Sequence, residues 1–110
     1  MNTVHYPNLR SFLKRHGLDI GDIAKVIGKT YPPAHQKITR KETKYGKVAL
    51  FDIEEARAII IFIKETETSY LKKKYGESWQ DEWSARWGHI DNWFSYIFFD
   101  EVVTNVTKTA

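Results

Sequence analysis

Between Leu9 and Ile38 the sequence LRSFLKRHGLDIGDIAKVIGKTYPPAHQKI sets short apolar helical stripes between glycine stops. That spacing suits three short helices packed closely against one another. Pro7 fits the first turn of a helix. Leu9, Phe12 and Leu13 follow at i, i+3 and i+4, with Arg10, Lys14 and Arg15 around them. Gly17 ends the stretch as a C-terminal cap. Asp19 is the expected N-cap of a second helix, with Asp22 in its first turn. Ile20, Ile23, Ala24 and Ile27 form its apolar face, and Gly28 closes it. Ala24 is small where another helix must approach.

The third helix has an unusual start. Tyr31 and Pro32 each precede a proline and are pushed towards extended backbone, so the helix is expected to begin near Pro32 or Pro33. A cap at Thr30 would need N–H groups at Pro32 and Pro33, and neither has one. The Thr30 hydroxyl is thereby left for another group, such as a phosphate. Ala34 and Ile38 anchor the helix to the core, while His35, Gln36, Lys37 and Arg40 fall on its other faces. A trihelical unit of this kind is a common way to place a helix in the major groove of DNA.

Beyond it, residues 39–47 form a polar, basic loop, and Val48–Phe51 is short and apolar. Asp52 is expected to cap a long helix with Glu54 and Glu55 in its first turn and Ala56, Ile59, Ile60 and Ile63 as its buried stripe, widened by Phe62. The pattern changes at Thr66–Tyr75, which is polar and carries Lys72-Lys73-Lys74 before Gly76. Trp79, Trp83 and Trp87 then recur at helical spacing, and a second aromatic stretch holds Trp93, Phe94, Tyr96, Phe98 and Phe99. The ending EVVTNVTKT is β-branched and reads as a terminal strand.

The 110 residues suit one compact domain with a small appendage. The chain has no cysteine, which excludes disulfides and thiolate metal sites. Its four histidines, His5, His16, His35 and His89, do not form a metal-ligand spacing, and no nucleophile or glycine-rich phosphate loop accompanies them. The expectation is a non-enzyme with no cofactor and no metal. No apolar run approaches the ~20 residues needed to span a bilayer. The first ten residues lack a signal-peptide pattern, so a cytoplasmic protein without membrane association is expected. Charge is unevenly spread. Residues 1–50 hold ten Lys/Arg against three Asp/Glu, a net +7, whereas residues 51–110 hold seven against eleven, a net −4. A basic half joined to an acidic half suggests a polyanion-binding module joined to a segment that stays off DNA.

Residues 9–38 resemble the Cro/CI-type (XRE-like) helix-turn-helix regulators. FLKRHGLDIGDIAKVIGKT looks like their first two helices, with Ala24, Ile27 and Gly28 at the usual positions. HQKITRK is similar to the end of the recognition helix in short repressors of Gram-positive phages, and FDIEEARAIIIFI to the next helix. YIFFDEVVTNVTK is similar to the tail of the same repressors. The likeness covers roughly residues 8–64 and 96–108. It departs at Ile20, where the family often has a phosphate-contacting Gln, and at Pro32-Pro33, which replace a Ser/Thr/Arg run. Residues 65–95 look inserted.

The resemblance implies a mainly α fold: a helix-turn-helix (lambda-repressor-like) bundle over residues 1–64, and an aromatic helical C-terminal extension over 65–110 that ends in a short β-strand. It implies a sequence-specific transcriptional regulator of phage or prophage type, a repressor or Cro-like protein, that binds a pseudo-palindromic operator in double-stranded DNA as a homodimer. Carried over, the reading positions are Thr30, Tyr31, Pro32, His35 and Gln36. Gln36 suits bidentate contact with adenine, and Tyr31 suits a sugar or a thymine methyl. Lys37, Arg40, Lys41 and Lys44 suit phosphates. The aromatic residues Trp79, Trp83, Trp87, Trp93, Phe98 and Phe99 are the candidate dimer or partner interface. Packing within the monomer and stacking of bases are the other readings of the tryptophan stripe. The alternatives in function are a phage-encoded protein–protein inhibitor or antirepressor built on a helix-turn-helix frame, and a DNA-binding antitoxin.

Overall fold

The fold is a mainly helical bundle, and most of its helices begin and end on the local signals of the sequence. A computed structural model describes residues 3–41, 48–99 and 101–103, the side chains at 3, 4 and 101–103 excepted. The elements are β1 (Thr3–His5), α1 (Pro7–Arg15), α2 (Ile20–Ile27), α3 (Tyr31–Thr39), α4 (Ile53–Tyr75), a 3₁₀ turn (Gly76–Ser78), α5 (Trp79–Trp87), α6 (Trp93–Phe98) and β2 (Glu101–Val103).

Helix α1 starts on Pro7 and ends at His16, after which Gly17 takes φ +66° and the Leu18 N–H bonds back to the Leu13 carbonyl at 2.8 Å. Its buried side is Leu9, Phe12 and Leu13. A capping box opens α2: the Asp22 N–H donates to the Asp19 carboxylate at 3.3 Å, and the Asp19 N–H donates to that of Asp22 at 2.9 Å. Gly28 closes α2 with φ +69°, and the Lys29 N–H returns to the Ala24 carbonyl. After Lys29 and Thr30 the chain enters α3, which packs on α2. The helix starts at Tyr31, earlier than the two prolines suggest. In a first turn neither proline gives up a helical hydrogen bond or meets a preceding turn. Those two missing constraints outweigh the pre-proline preference for extended backbone.

Helix α4 repeats the capping box with Asp52 and Glu55, at 2.8 and 2.9 Å. It runs for 23 residues, so the expected boundary between residues 64 and 65 falls inside it. Its buried stripe continues past Ile59 and Ile63 through Glu67 to Leu71, one turn at a time. Gly76 turns the chain at φ +58°, and α5 folds back along α4. Asn92 caps α6, which packs on both α1 and α4. Strand β2 pairs antiparallel with β1, with Thr3 opposite Val103 and His5 opposite Glu101, so the C-terminal segment returns to the start of the bundle. The rest of the expected terminal strand lies outside the described residues.

One core holds these pieces together. Tyr6, Leu9, Phe12, Leu13, Ile23, Ile38, Ala56, Ile59, Ile63, Ile97 and Phe98 are all buried in it. Ile97 and Phe98 bring the aromatic extension into the same core as the first three helices, which makes the extension part of the bundle. No described helix is long and apolar enough to cross a membrane.

Candidate nucleic-acid interface

Helix α3 is gripped on its inner side and open on its outer side. Ala34 and Ile38 are buried against the bundle. Thr30, Tyr31, Pro32 and His35 are exposed, and Gln36 is half-buried. Thr30 occupies the N-cap without a side-chain cap bond, because Pro32 and Pro33 supply no N–H. Tyr31 and His35, one turn apart, stack with ring centroids 5.8 Å apart and planes 21° from parallel. Further along, the Thr39 hydroxyl donates to the His35 carbonyl at 2.8 Å.

Two of the residues expected to meet phosphate turn inward. The Lys37 ammonium donates to both oxygens of Glu55 at 2.6 and 2.7 Å, and Glu55 is itself buried. A carboxylate in that position needs a cation beside it, and Lys37 is the one that reaches it. Arg40 caps α3 with left-handed backbone, φ +50°. Its guanidinium lies 4.9 Å over the Tyr6 ring and donates to the Tyr6 hydroxyl and to the Phe98 carbonyl, each at 3.2 Å. Both side chains therefore fix α3 to the bundle and are withdrawn from the expected phosphate contacts. Lys41 is exposed and stays outside, as do Lys25 and Lys29, which the sequence pattern had not singled out. Lys44 lies outside the described residues. Arg10 adds a third tie that the spacing did not reveal: it donates to the His5 carbonyl at 2.8 Å and to the Ile38 carbonyl at 3.5 Å.

The aromatic set also divides. Phe98 is 5 % exposed and belongs to the core, because its ring meets Tyr6 edge-on and packs on Phe51 and Phe94. An interface role for Phe98 is therefore withdrawn. Phe99, next in sequence, is 68 % exposed. Trp79, Trp83, Trp87 and Trp93 are all half-buried. Trp93 stacks on Trp83 at 6.0 Å and tilts against Trp87 at 5.5 Å, so much of the stripe is packed between α5 and α6. Cations cover other faces: Arg15 over Trp87, Lys64 over Trp93 and Lys72 over Trp79, at 5.2, 5.4 and 4.8 Å. Trp79 and Trp83 line a hollow of ≈ 420 Å³ with Thr68, Gln80 and Ser84.

Two further features were invisible in the sequence pattern. Glu67 is fully buried, with one carboxylate oxygen shared by Arg15 and His16 and the other without a partner. Beyond α3, Tyr6, Phe51, Ala56, Phe94 and Phe98 floor an apolar hollow of ≈ 250 Å³ rimmed by Leu50, Ile53 and Phe99. Those three rim residues are more than half exposed. Among the described residues no group of three or more His, Asp or Glu could hold a metal ion. No protein-family model, curated protein or solved structure matches the chain.

Proposed function

We propose that the chain is a sequence-specific regulator that binds double-stranded DNA, of phage or prophage type, with α2, the Gly28 turn and α3 acting as its helix-turn-helix. The observation that carries this reading is the division of α3 into a buried side, Ala34 and Ile38, and an exposed leading edge of Thr30, Tyr31, Pro32 and His35. A helix held at its inner face and at both Lys37 and Arg40 is a rigid mount for side chains that enter a groove. Exposed Lys25, Lys29 and Lys41 supply phosphate contacts around it. The protein would act by occupying an operator and excluding polymerase. A pseudo-palindromic operator follows if two copies bind, and the exposed rim of Leu50, Ile53 and Phe99 supports such a pairing better than the largely packed tryptophans do. The test is selection of bound duplexes from a random-sequence pool, repeated with the His35→Ala and Lys29→Ala variants. Enrichment of a common sequence by the intact chain is expected, with weaker binding to that sequence by both variants. No enrichment would overturn the proposal.

A second reading, a phage-encoded protein–protein inhibitor or antirepressor, or a DNA-binding antitoxin, draws on the hollow beside Trp79 and Trp83. An antitoxin would co-purify with a neighbour-encoded protein seated on α5, and Trp79→Ala would release it.

A further inference from the structure

The first turn of α3 lacks backbone donors that helix N-termini usually present. Pro32 and Pro33 fill the second and third positions, so two of the N–H groups normally open to a ligand are missing. The next one, on Ala34, bonds to the Thr30 carbonyl at 3.4 Å. A phosphate cradled on backbone donors, as helix N-termini commonly hold it, is therefore disfavoured at this turn. What the turn offers instead is the Tyr31 ring, 52 % exposed, and the exposed pyrrolidine ring of Pro32. The Tyr31 ring is not loose. His35 stacks beneath it one helical turn on, 5.8 Å away and 21° from parallel, which fixes the direction in which it projects.

Exposed lysines flank this edge in the chain, and Lys29 shares a hollow with Asp52, Glu54 and Glu55. Lys29 precedes the helix, Lys41 follows it and Lys25 sits on the last turn of α2, all exposed. An apolar tip with exposed lysines in the flanking chain fits a polyanion that carries hydrocarbon inside its charged rim. Double-stranded DNA has that arrangement, and the one hydrocarbon group on a base-pair edge in the major groove is the C5-methyl of thymine. Resting on the DNA-binding reading, we infer that Tyr31 and Pro32 read thymine methyl groups in the major groove, with His35 as a positioning residue that holds the Tyr31 ring.

The inference makes a demand at single-atom resolution. A duplex enriched by the protein from a random-sequence pool is prepared twice, once with thymine and once with uracil, which differ only by the methyl group. Binding of the intact chain to the uracil duplex is expected to be about fourfold weaker for each contacted methyl removed, the worth of one buried carbon. With Tyr31→Ala the thymine duplex should bind more weakly, and the ratio between the two duplexes should fall towards one. Tyr31 is largely exposed, so the variant should keep the far-ultraviolet dichroism of the parent. With His35→Ala the ratio should fall only in part. Equal binding of the two duplexes by the intact chain would overturn the thymine assignment and leave the DNA reading standing. A full thymine preference retained by Tyr31→Ala would overturn the role of that ring. If no duplex is enriched at all, the DNA reading fails and the inference falls with it.

Discussion

Tyr6 and Arg40 hold each other in the left-handed region of backbone space. They are the two non-glycine residues with positive φ among the described residues, at +55° and +50°, and the Arg40 guanidinium lies over the Tyr6 ring. Each left-handed residue costs about 1–2 kcal/mol relative to glycine. The contact offsets that cost and aligns two junctions at once: Tyr6 precedes α1, and Arg40 ends α3. Through the Phe98 carbonyl the same guanidinium reaches the end of α6. One side chain thus sets the candidate reading helix against both the first helix and the aromatic extension.

Arg40→Ala should lower stability by about 2 kcal/mol in urea unfolding, through loss of a charged hydrogen bond and a cation–π contact. Arg40→Gly should fall between the alanine variant and the parent, since glycine recovers about 1 kcal/mol in a left-handed cap. A stability for Arg40→Ala equal to that of the parent would show that the contacts with Tyr6 and Phe98 do not hold α3 in place.

The same residue shows where the sequence stops being legible. Caps at Asp19, Gly28 and Asp52 are local, with partners three to five residues away, and all three were readable. The partners of Lys37 and Arg40 are Glu55, Tyr6 and Phe98, at separations of 18, 34 and 58 residues. Nothing in helical periodicity marks a lysine or arginine for such a distant partner, so both read as phosphate ligands. Helix α4 outruns its expected end for a different reason. Its stripe Ile59, Ile63, Glu67, Leu71 keeps a four-residue step, but a glutamate at the third place looks like solvent-facing surface. Only the fold puts Arg15 and His16 beside that glutamate. The exposed edge of α3 was legible because Ala34 and Ile38 fix its inner side and the prolines dictate their own chemistry.

Lys37 and Glu55 should behave as a coupled pair. Lys37→Ala leaves a buried carboxylate without its cation and should cost about 3 kcal/mol. Adding Glu55→Gln should recover much of that loss, although the glutamine weakens the cap of α4. A double-mutant cycle by chemical denaturation measures the coupling, and additive losses would contradict the ion pair.

Glu67 should respond differently. One of its oxygens is buried without a partner, and Arg15 is 39 % exposed and can turn into solvent. Replacing the carboxylate leaves no stranded charge. Glu67→Leu is therefore expected to fall within about 1 kcal/mol of the parent or above it, the usual result when a buried ion pair gives way to packing. A loss of several kcal/mol in the same measurement would mean that the Arg15 and His16 contacts outweigh the desolvation of the acid.

Phe98 and Phe99 are neighbours with opposite expected roles. Phe98→Asp puts a charge into the core and should prevent cooperative folding. Phe99→Asp should leave the thermal midpoint nearly unchanged and shift any dimer towards monomer in sedimentation equilibrium. An unchanged association state would remove the Leu50, Ile53 and Phe99 rim as the pairing surface.

The most direct test of the account is the salt dependence of binding to a duplex enriched by the protein. With Lys37 and Arg40 committed inside the fold, the proposed phosphate contacts are the exposed Lys25, Lys29 and Lys41. One phosphate neutralised by each gives a slope of log affinity against log salt of about −3 per subunit, and about double that for a bound pair. Lys29→Ala should make it shallower by about 1. A slope near zero would contradict the claim that this surface holds DNA.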